Sequence, residues 1–282
     1  MISALTIVKN REMHLDNLVE GLRRSAPGPA ELVVVDMSDE AVGCPECAFP
    51  VTLVRHDVAS LPLAQARNLA AAHARFDKLL FLDVDCIPAA ALCGAMDAAL
   101  ERPDALICAE IRYLGPKDTA GRSWRESDLL QAGQPHPARE FPREGLRPEG
   151  NAGLFWSLAF GISRPSFVNV GGFDEAFEGY GGEDTDFGFR AREAGVGLYF
   201  LGGPGAFHQH HGVVDPPLHH FQDIVRNAAL FHERWGIWPM EGWLAAFAHL
   251  GLIDRSANKI SVLSCPTEQQ LRDATDTADR RY

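Results

Sequence analysis

Short apolar runs alternate with helical periods through the first third of the chain. Ser3–Val8 has the composition of a strand, and His14–Arg24 sets Leu15, Leu18, Val19 and Leu22 on one helical face. Leu32–Asp36 is a continuous β-branched run, the pattern of a strand covered on both faces. Val51–Arg55 predicts another short strand, and Pro62–Ala74 an Ala-rich helix. Lys78–Asp83 predicts a further buried strand, followed by a helix over Ala89–Leu100 and a strand over Ala105–Ala109. Strands alternating with helices in this way predict βαβ units, hence an α/β fold with a mixed, mostly parallel sheet flanked by helices.

The rhythm breaks over residues 114–150, which are rich in Pro, Gly and Arg and read as a long flexible loop of the kind that forms lids. Order returns with an apolar stretch at Leu154–Ile162. A helix is expected over Glu183–Ala194 after a Gly-rich turn, and a strand over Gly197–Leu201. Pro217–Leu252 is helical in pattern with an interruption near Gly236–Pro239, and the polar stretch after Asp254 is expected to be peripheral. The expected organisation is one α/β domain over 1–212, a helical extension over 213–254 and a tail over 255–282.

Length and charge narrow the function classes. A chain of 282 residues can bury a sizeable core without disulfides or a structural metal. Its 26 Lys+Arg against 38 Asp+Glu give a net charge of −12, which disfavours a broad nucleic-acid or anionic-membrane face. The N-terminus lacks a basic region followed by a long apolar stretch, and no run reaches the roughly 18 apolar residues of a membrane span. The six cysteines form no disulfide framework, so a reduced, cytoplasmic chain is expected. Cys44 and Cys47 have CxxC spacing, but two further zinc ligands do not follow nearby, and the stretch reads as a loop with two thiols.

Three clusters carry chemistry. Leu82-Asp83-Val84-Asp85 closes an apolar strand with two acids, and in open α/β sheets ligands bind beyond the carboxyl ends of strands. Two crowded carboxylates repel unless a proton or a cation is shared, and hard oxygen ligands suit Mg²⁺ or Mn²⁺; a turn with helix-capping acids is the plainer reading. Tyr180-Gly-Gly-Glu183-Asp184-Thr185-Asp186 places three acids at a helix start. Capping and the helix dipole explain one of them; glycines that let a ligand approach and a carboxylate acting as general base explain the set. In Phe207-His208-Gln209-His210-His211, a strand would put His208 and His210 on one face and His211 opposite; a single His is more often structural or solvated, but three so close, after two acid clusters, point to one as a ligand for Mn²⁺ or Zn²⁺.

Together these residues resemble family 2 glycosyltransferases of the GT-A fold, with a C-terminal half similar to the β-1,4-galactosyltransferase and chondroitin-polymerase type. Thr6-Ile-Val8-Lys-Asn10-Arg11 resembles the opening nucleoside-binding strand, and Val33-Val-Val-Asp36-Met-Ser-Asp39 the V-V-D-D-G-S segment. Ala66-Arg67-Asn68 resembles the A-R-N helix start and Leu82–Asp85 the DxD metal motif. Gly171–Glu175 with Gly181–Asp184 resembles the G-G-F-D-E … G-G-E-D pair, and Phe207-His208-Gln209 the late metal histidine. Met37 and Asp39 depart from the pattern and leave the base-contacting acid open between Asp36 and Asp39.

The resemblance implies metal-dependent inverting transfer of a sugar from a nucleoside diphosphate, a UDP-sugar above all, to a saccharide or glycolipid hydroxyl. Asp85 and His208 (His210 as alternative) would hold Mn²⁺ or Mg²⁺, and Asp83 would touch the ribose or a metal-bound water. Asp184 would be the base and Glu183 its neighbour on substrate hydroxyls. Thr6, Val8, Asn10, Arg11, Arg67 and Asn68 would line the donor site, and Trp156, Tyr180 and Gly182 the acceptor or sugar side. A lipid-linked acceptor would bring the enzyme to a membrane surface peripherally, through the Trp235–Leu252 region. The rivals are a nucleotide-sugar-binding protein without transfer activity, a nucleotidyltransferase, for which Val8–Arg11 lacks a Gly-rich phosphate loop, and a zinc hydrolase, for which HExxH is missing.

Overall fold

The computed structural model describes residues 1–57, 61–119 and 124–276. The first half follows the predicted alternation: β1 (Ile2–Val8), α1 (Glu12–Arg23), β2 (Glu31–Asp36), β3 (Val51–Arg55), α2 (Leu63–His73), β4 (Lys78–Leu82), β5 (Cys86–Pro88), α3 (Leu92–Ala99) and β6 (Ala105–Tyr113). Then come α4 (Glu126–Ala132), β7 (Gln134–Pro135), β8 (Leu146–Pro148), β9 (Ala159–Ser163), α5 (Arg164–Val170), α6 (Glu183–Glu193) and β10 (Gly197–His208). Two further helices, α7 (Phe221–Trp235) and α8 (Glu241–His249), precede a short hairpin and a final short helix. No helix among the described residues is long and apolar enough to cross a membrane.

The main sheet runs β3-β2-β1-β4-β9-β6-β10-β5, with β7 beside β6 and β8 beside β10. β1 to β4 pair in parallel, β9 lies antiparallel between β4 and β6, and β6 pairs in parallel with β10. The β-branched run of β2 is buried on both faces, as its composition demands: Leu32 and Val34 face the α1 and α3 side with Leu15, Leu18, Leu22 and Met96. Val33 and Val35 face the α2, α5 and α6 side with Ala66, Ala70, Phe167 and Phe187. There a set of rings fixes the layer spacing, with Phe81 stacked on Phe160 at 4.6 Å and Phe173 on Phe187 at 4.4 Å.

Two segments differ from the pattern in the sequence. Residues 124–150 are not featureless: α4, β7 and β8 lie within them, and Trp124, Leu129 and Arg139 are buried. Residues 120–123 of that expected loop lie outside the described residues. β10 also runs on past Leu201 to His208, through a register shift against β6 between Leu201 and Ala206. Gly205 makes that shift feasible, since a Cβ there would fall 2.1 Å from the Glu110 carbonyl oxygen. The extension of β10 matters because it delivers the histidines to the strand ends.

Candidate active site

The carboxyl ends of β1, β2 and β4 and the end of β10 converge. After Leu82 the chain makes a tight turn, with Asp83 N–H on the Leu158 carbonyl at 2.7 Å and Cys86 N–H on the Asp83 carbonyl at 2.8 Å. The strand therefore stops before the second acid, and Asp85 turns inward to 5% exposure. Its backbone carbonyl accepts from Gln209 N–H at 2.7 Å, which clips β4's turn to the end of β10. Arg11 Nη1 donates to Asp85 Oδ2, while Oδ1 is buried without a hydrogen-bond partner. An unsatisfied carboxylate oxygen in such a place suits a cation.

The imidazoles around it supply the rest of a ligand set. Donor atoms of Asp85, His208 and His211 lie within 4.8 Å of one another, the one group among the described residues that could hold a metal. His211 Nε2 is 3.6 Å from Asp85, and His14 Nε2 3.8 Å. His210 takes no part in the group. β10 ends at His208, so the two-residue periodicity that would align His208 with His210 no longer applies, and the turning chain brings His211 round instead. Burial, with His211, Arg11 and His14 beside it, pushes His208 down to about 4 against the pull of Asp85. The ring is thus neutral at pH 7, the form that ligates. One carboxylate and two imidazoles match Mn²⁺ better than Mg²⁺, which prefers oxygen. Cys44 is an exposed and Cys47 a half-buried free thiol, and neither belongs to such a group.

The acids at the start of α6 adjoin the metal group through Arg67, which acts on both Asp83 and Glu183. Gly182 caps the helix at φ 92°, after Gly181 at φ 90°, the left-handed region that glycine enters freely. Glu183 is buried against Arg67, with Nη1 to Oε1 at 2.9 Å. Asp184 is half-buried and accepts from Thr185 N–H at 2.6 Å. Burial and the neighbouring Glu183 raise Asp184 to about 6, against Arg67 and backbone N–H groups that lower it. Burial and Asp85 likewise raise Asp83 to about 6, against Arg67 and Arg11. Two acids and a guanidinium thus share one electrostatic neighbourhood. Tyr180 belongs to it too: burial, Glu183, Asp184 and Asp83 all push its hydroxyl up.

Other predicted residues take varied places. Asp36 is fully buried; it accepts from Ser38 N–H at 2.9 Å, Val42 N–H at 3.0 Å and Arg55 Nη1 at 2.9 Å. Burial alone would raise Asp36, but those donors hold it below the usual range, and it shapes the 37–42 loop. Asp39 is exposed and exchanges two 2.9 Å hydrogen bonds with the Asn10 side chain, so of the two acids it is the accessible one. Thr6 and Val8 are buried in β1. Asn68 bonds Phe173 and Glu175 and so anchors the Gly171–Glu175 loop to α2. Trp156 is half-buried, edge-on to His136 at 4.8 Å and under the Arg139 guanidinium. Tyr180 stacks on His220 at 4.4 Å.

A strand pattern sets His211 opposite His208 and gives no sign of His14, which stands beside Asp85 on α1. His211 had a usable signal in its three-residue spacing from His208, which suits a turn rather than a strand.

The family model described as glycosyl transferase family 2 matches residues 3–175, and that of the N-terminal domain of galactosyltransferase matches residues 146–212. The chain is 25% identical over 234 residues to validoxylamine A glucosyltransferase of Streptomyces hygroscopicus subsp. limoneus, covering 70% of this chain and 49% of that protein. It is 24% identical over 209 residues to chondroitin synthase of Pasteurella multocida (strain Pm70), covering 64% of this chain and 22% of that one. The chain therefore spans half or less of these relatives' length. Among solved structures, GalNAc-T7 with UDP, GalNAc and Mn²⁺ aligns at a TM-score of 0.52 and 16% identity, over 75% of this chain and 43% of that one, a likeness of fold.

Proposed function

Because the chain belongs to glycosyl transferase family 2, we propose that it moves a sugar from a nucleoside diphosphate donor to an acceptor hydroxyl by metal-assisted displacement with inversion. The observation that carries this is the grouping of Asp85, His208 and His211 at the strand ends, with Asp184 at the start of α6 tied to the same charged neighbourhood through Asp83, Arg67 and Tyr180. Residues 1–212 serve as the transfer domain, 213–254 as an extension packed against it and 255–282 as its tail.

Asp85, His208 and His211 would hold a divalent ion, Mn²⁺ in preference to Mg²⁺. When bound, such an ion neutralises the leaving diphosphate. Arg11, bonded to Asp85, adds positive charge beside the metal group. Asn10 and Asp39, exposed and bonded to each other, would contact the nucleoside. Asp184 accepts the proton of the acceptor hydroxyl as its oxygen attacks the anomeric carbon from the face opposite the diphosphate. The bond from that carbon to the diphosphate oxygen breaks, so the configuration inverts. A carboxylate near 6 suits this work, being ionised at neutral pH yet more basic than an exposed aspartate. Arg67 holds Glu183 in place beside it, and Trp156 and Tyr180 offer ring faces to the sugars. The UDP and Mn²⁺ of the GalNAc-T7 structure and the glucosyl transfer in the validoxylamine relative's name support a UDP-sugar donor and a saccharide or glycolipid acceptor.

Thermal stabilisation by a panel of UDP-, GDP- and dTDP-sugars, with and without Mn²⁺, followed by assay of nucleotide release, tests this reading. A UDP-sugar should raise the melting temperature only with Mn²⁺, and UDP should appear. Stabilisation without nucleoside diphosphate release under any condition would identify a binding protein instead.

A further inference from the structure

α7 lies C-terminal to both matched stretches. Its apolar face, with Phe221, Ile224, Val225 and Phe231, is buried. Several of its polar side chains are directed at the segment around Asp184, the Glu178–Gly182 turn and the first turn of α6 that follows it. Asn227 is 0% exposed, and its Nδ2 donates to the carbonyls of Glu178 at 2.9 Å, Tyr180 at 3.3 Å and Gly181 at 2.8 Å. Arg226 also donates to the Glu178 carbonyl. Two turns on, Arg234 Nη1 and Trp235 Nε1 donate to Asp186 Oδ1 at 2.6 and 3.0 Å. The two anchor points bracket Asp184 from both sides along the chain.

The loop depends on such anchors. Gly179, Gly181 and Gly182 all have positive φ, so the segment has little conformational preference of its own. α7 approaches it closely enough that a Cβ on Gly179 would fall 2.2 Å from the Asp223 carboxylate. The three carbonyls around Nδ2 also fix the amide's orientation, since its oxygen could not occupy that place. Asn227 Oδ1 is buried with no partner. The amide thus acts through Nδ2 alone, on the three carbonyls of the turn.

We propose that Asn227 is a positioning residue for transfer: it fixes the Glu178–Gly182 turn and thereby the direction of the Asp184 carboxylate. The proposal rests on Asp184 as the base. It gives the helical extension a share in catalysis, through a residue that touches no reacting atom.

The test compares Asn227→Ala, Asp184→Asn and the double variant for Mn²⁺-dependent UDP release from UDP-glucose, UDP-galactose and UDP-N-acetylglucosamine. UDP–Mn²⁺ affinity by calorimetry and hydrogen exchange of residues 178–186 are read alongside. Asn227→Ala should lower kcat about 100-fold, the scale of an ångström's misplacement. UDP–Mn²⁺ affinity should stay within twofold of wild type, and exchange over 178–186 should quicken at least tenfold. In the Asp184→Asn background it should have no further effect on rate. Asn227→Ser, which keeps one donor, should recover part of the loss and is read instead if the alanine variant does not fold. Unchanged exchange, a rate within threefold of wild type, or a loss that multiplies with Asp184→Asn would each overturn the proposal. If Asp184→Asn is slow and Asn227→Ala is not, the positioning role alone falls. If Asp184→Asn turns over like wild type, the base reading falls and takes the proposal with it.

Discussion

On the proposed function, Asp184 takes the acceptor's proton. Such a base must be ionised to act, and burial together with Glu183 raises Asp184 to about 6. As pH falls through 6 the ionised fraction drops, so kcat/KM should fall towards a tenfold loss per pH unit on the acid side, with no such limb between pH 7 and 8. A pH–rate profile checks this; a flat profile down to pH 5 would place the base elsewhere. Asp184→Asn should retain UDP–Mn²⁺ binding while losing turnover by about 10³-fold or more, measured by UDP release. The metal group separates two histidines that sequence alone could not. His211→Ala should weaken Mn²⁺ binding by at least tenfold in calorimetry, whereas His210→Ala should leave it within twofold, since only His211 stands with Asp85 and His208.

Elements explain which features the sequence made legible. The β-branched run of β2 and the stripe Leu15, Leu18, Val19, Leu22 of α1 announce themselves because burial on one or both faces demands those residues at that spacing. β10 is legible only to Leu201, because Gly202-Gly-Pro-Gly205 lacks strand character. Those glycines answer to tertiary neighbours: at Gly202 a Cβ would meet the Pro142 carbonyl at 2.3 Å, and at Gly205 the Glu110 carbonyl. β7 and β8 are too short to show any alternation, so 124–150 looks structureless in sequence. In the site, the carboxylates are legible from their crowding. His211 and Asn227 are not, since their roles depend on where a strand ends and on where a distant helix docks. The docking of α7 on α6 has a stability consequence. Asp186 is fully buried and accepts from Arg190, Arg234 and Trp235. Asp186→Asn leaves those cations without their carboxylate and should cost about 3 kcal/mol, read as a lower urea midpoint at unchanged m-value.

For the molecule as a whole, the net charge of −12 acquires a meaning. Part of the acidic excess gathers at Asp83, Asp85, Glu183, Asp184 and Asp186, and local cations answer it: Arg11, Arg67, Arg190 and Arg234. Asp85 Oδ1 alone is left without a hydrogen bond among the oxygens of this acidic set that are buried from solvent. That oxygen is where a metal would complete the balance, and the donor diphosphate would bind through it. The most direct measurement is therefore calorimetry of UDP binding in Mn²⁺, in EDTA, and for Asp85→Ala in Mn²⁺. The account predicts binding by the wild type in Mn²⁺ and its loss, by 100-fold or more in Kd, both in EDTA and in the variant. UDP binding of equal strength in all three would contradict it.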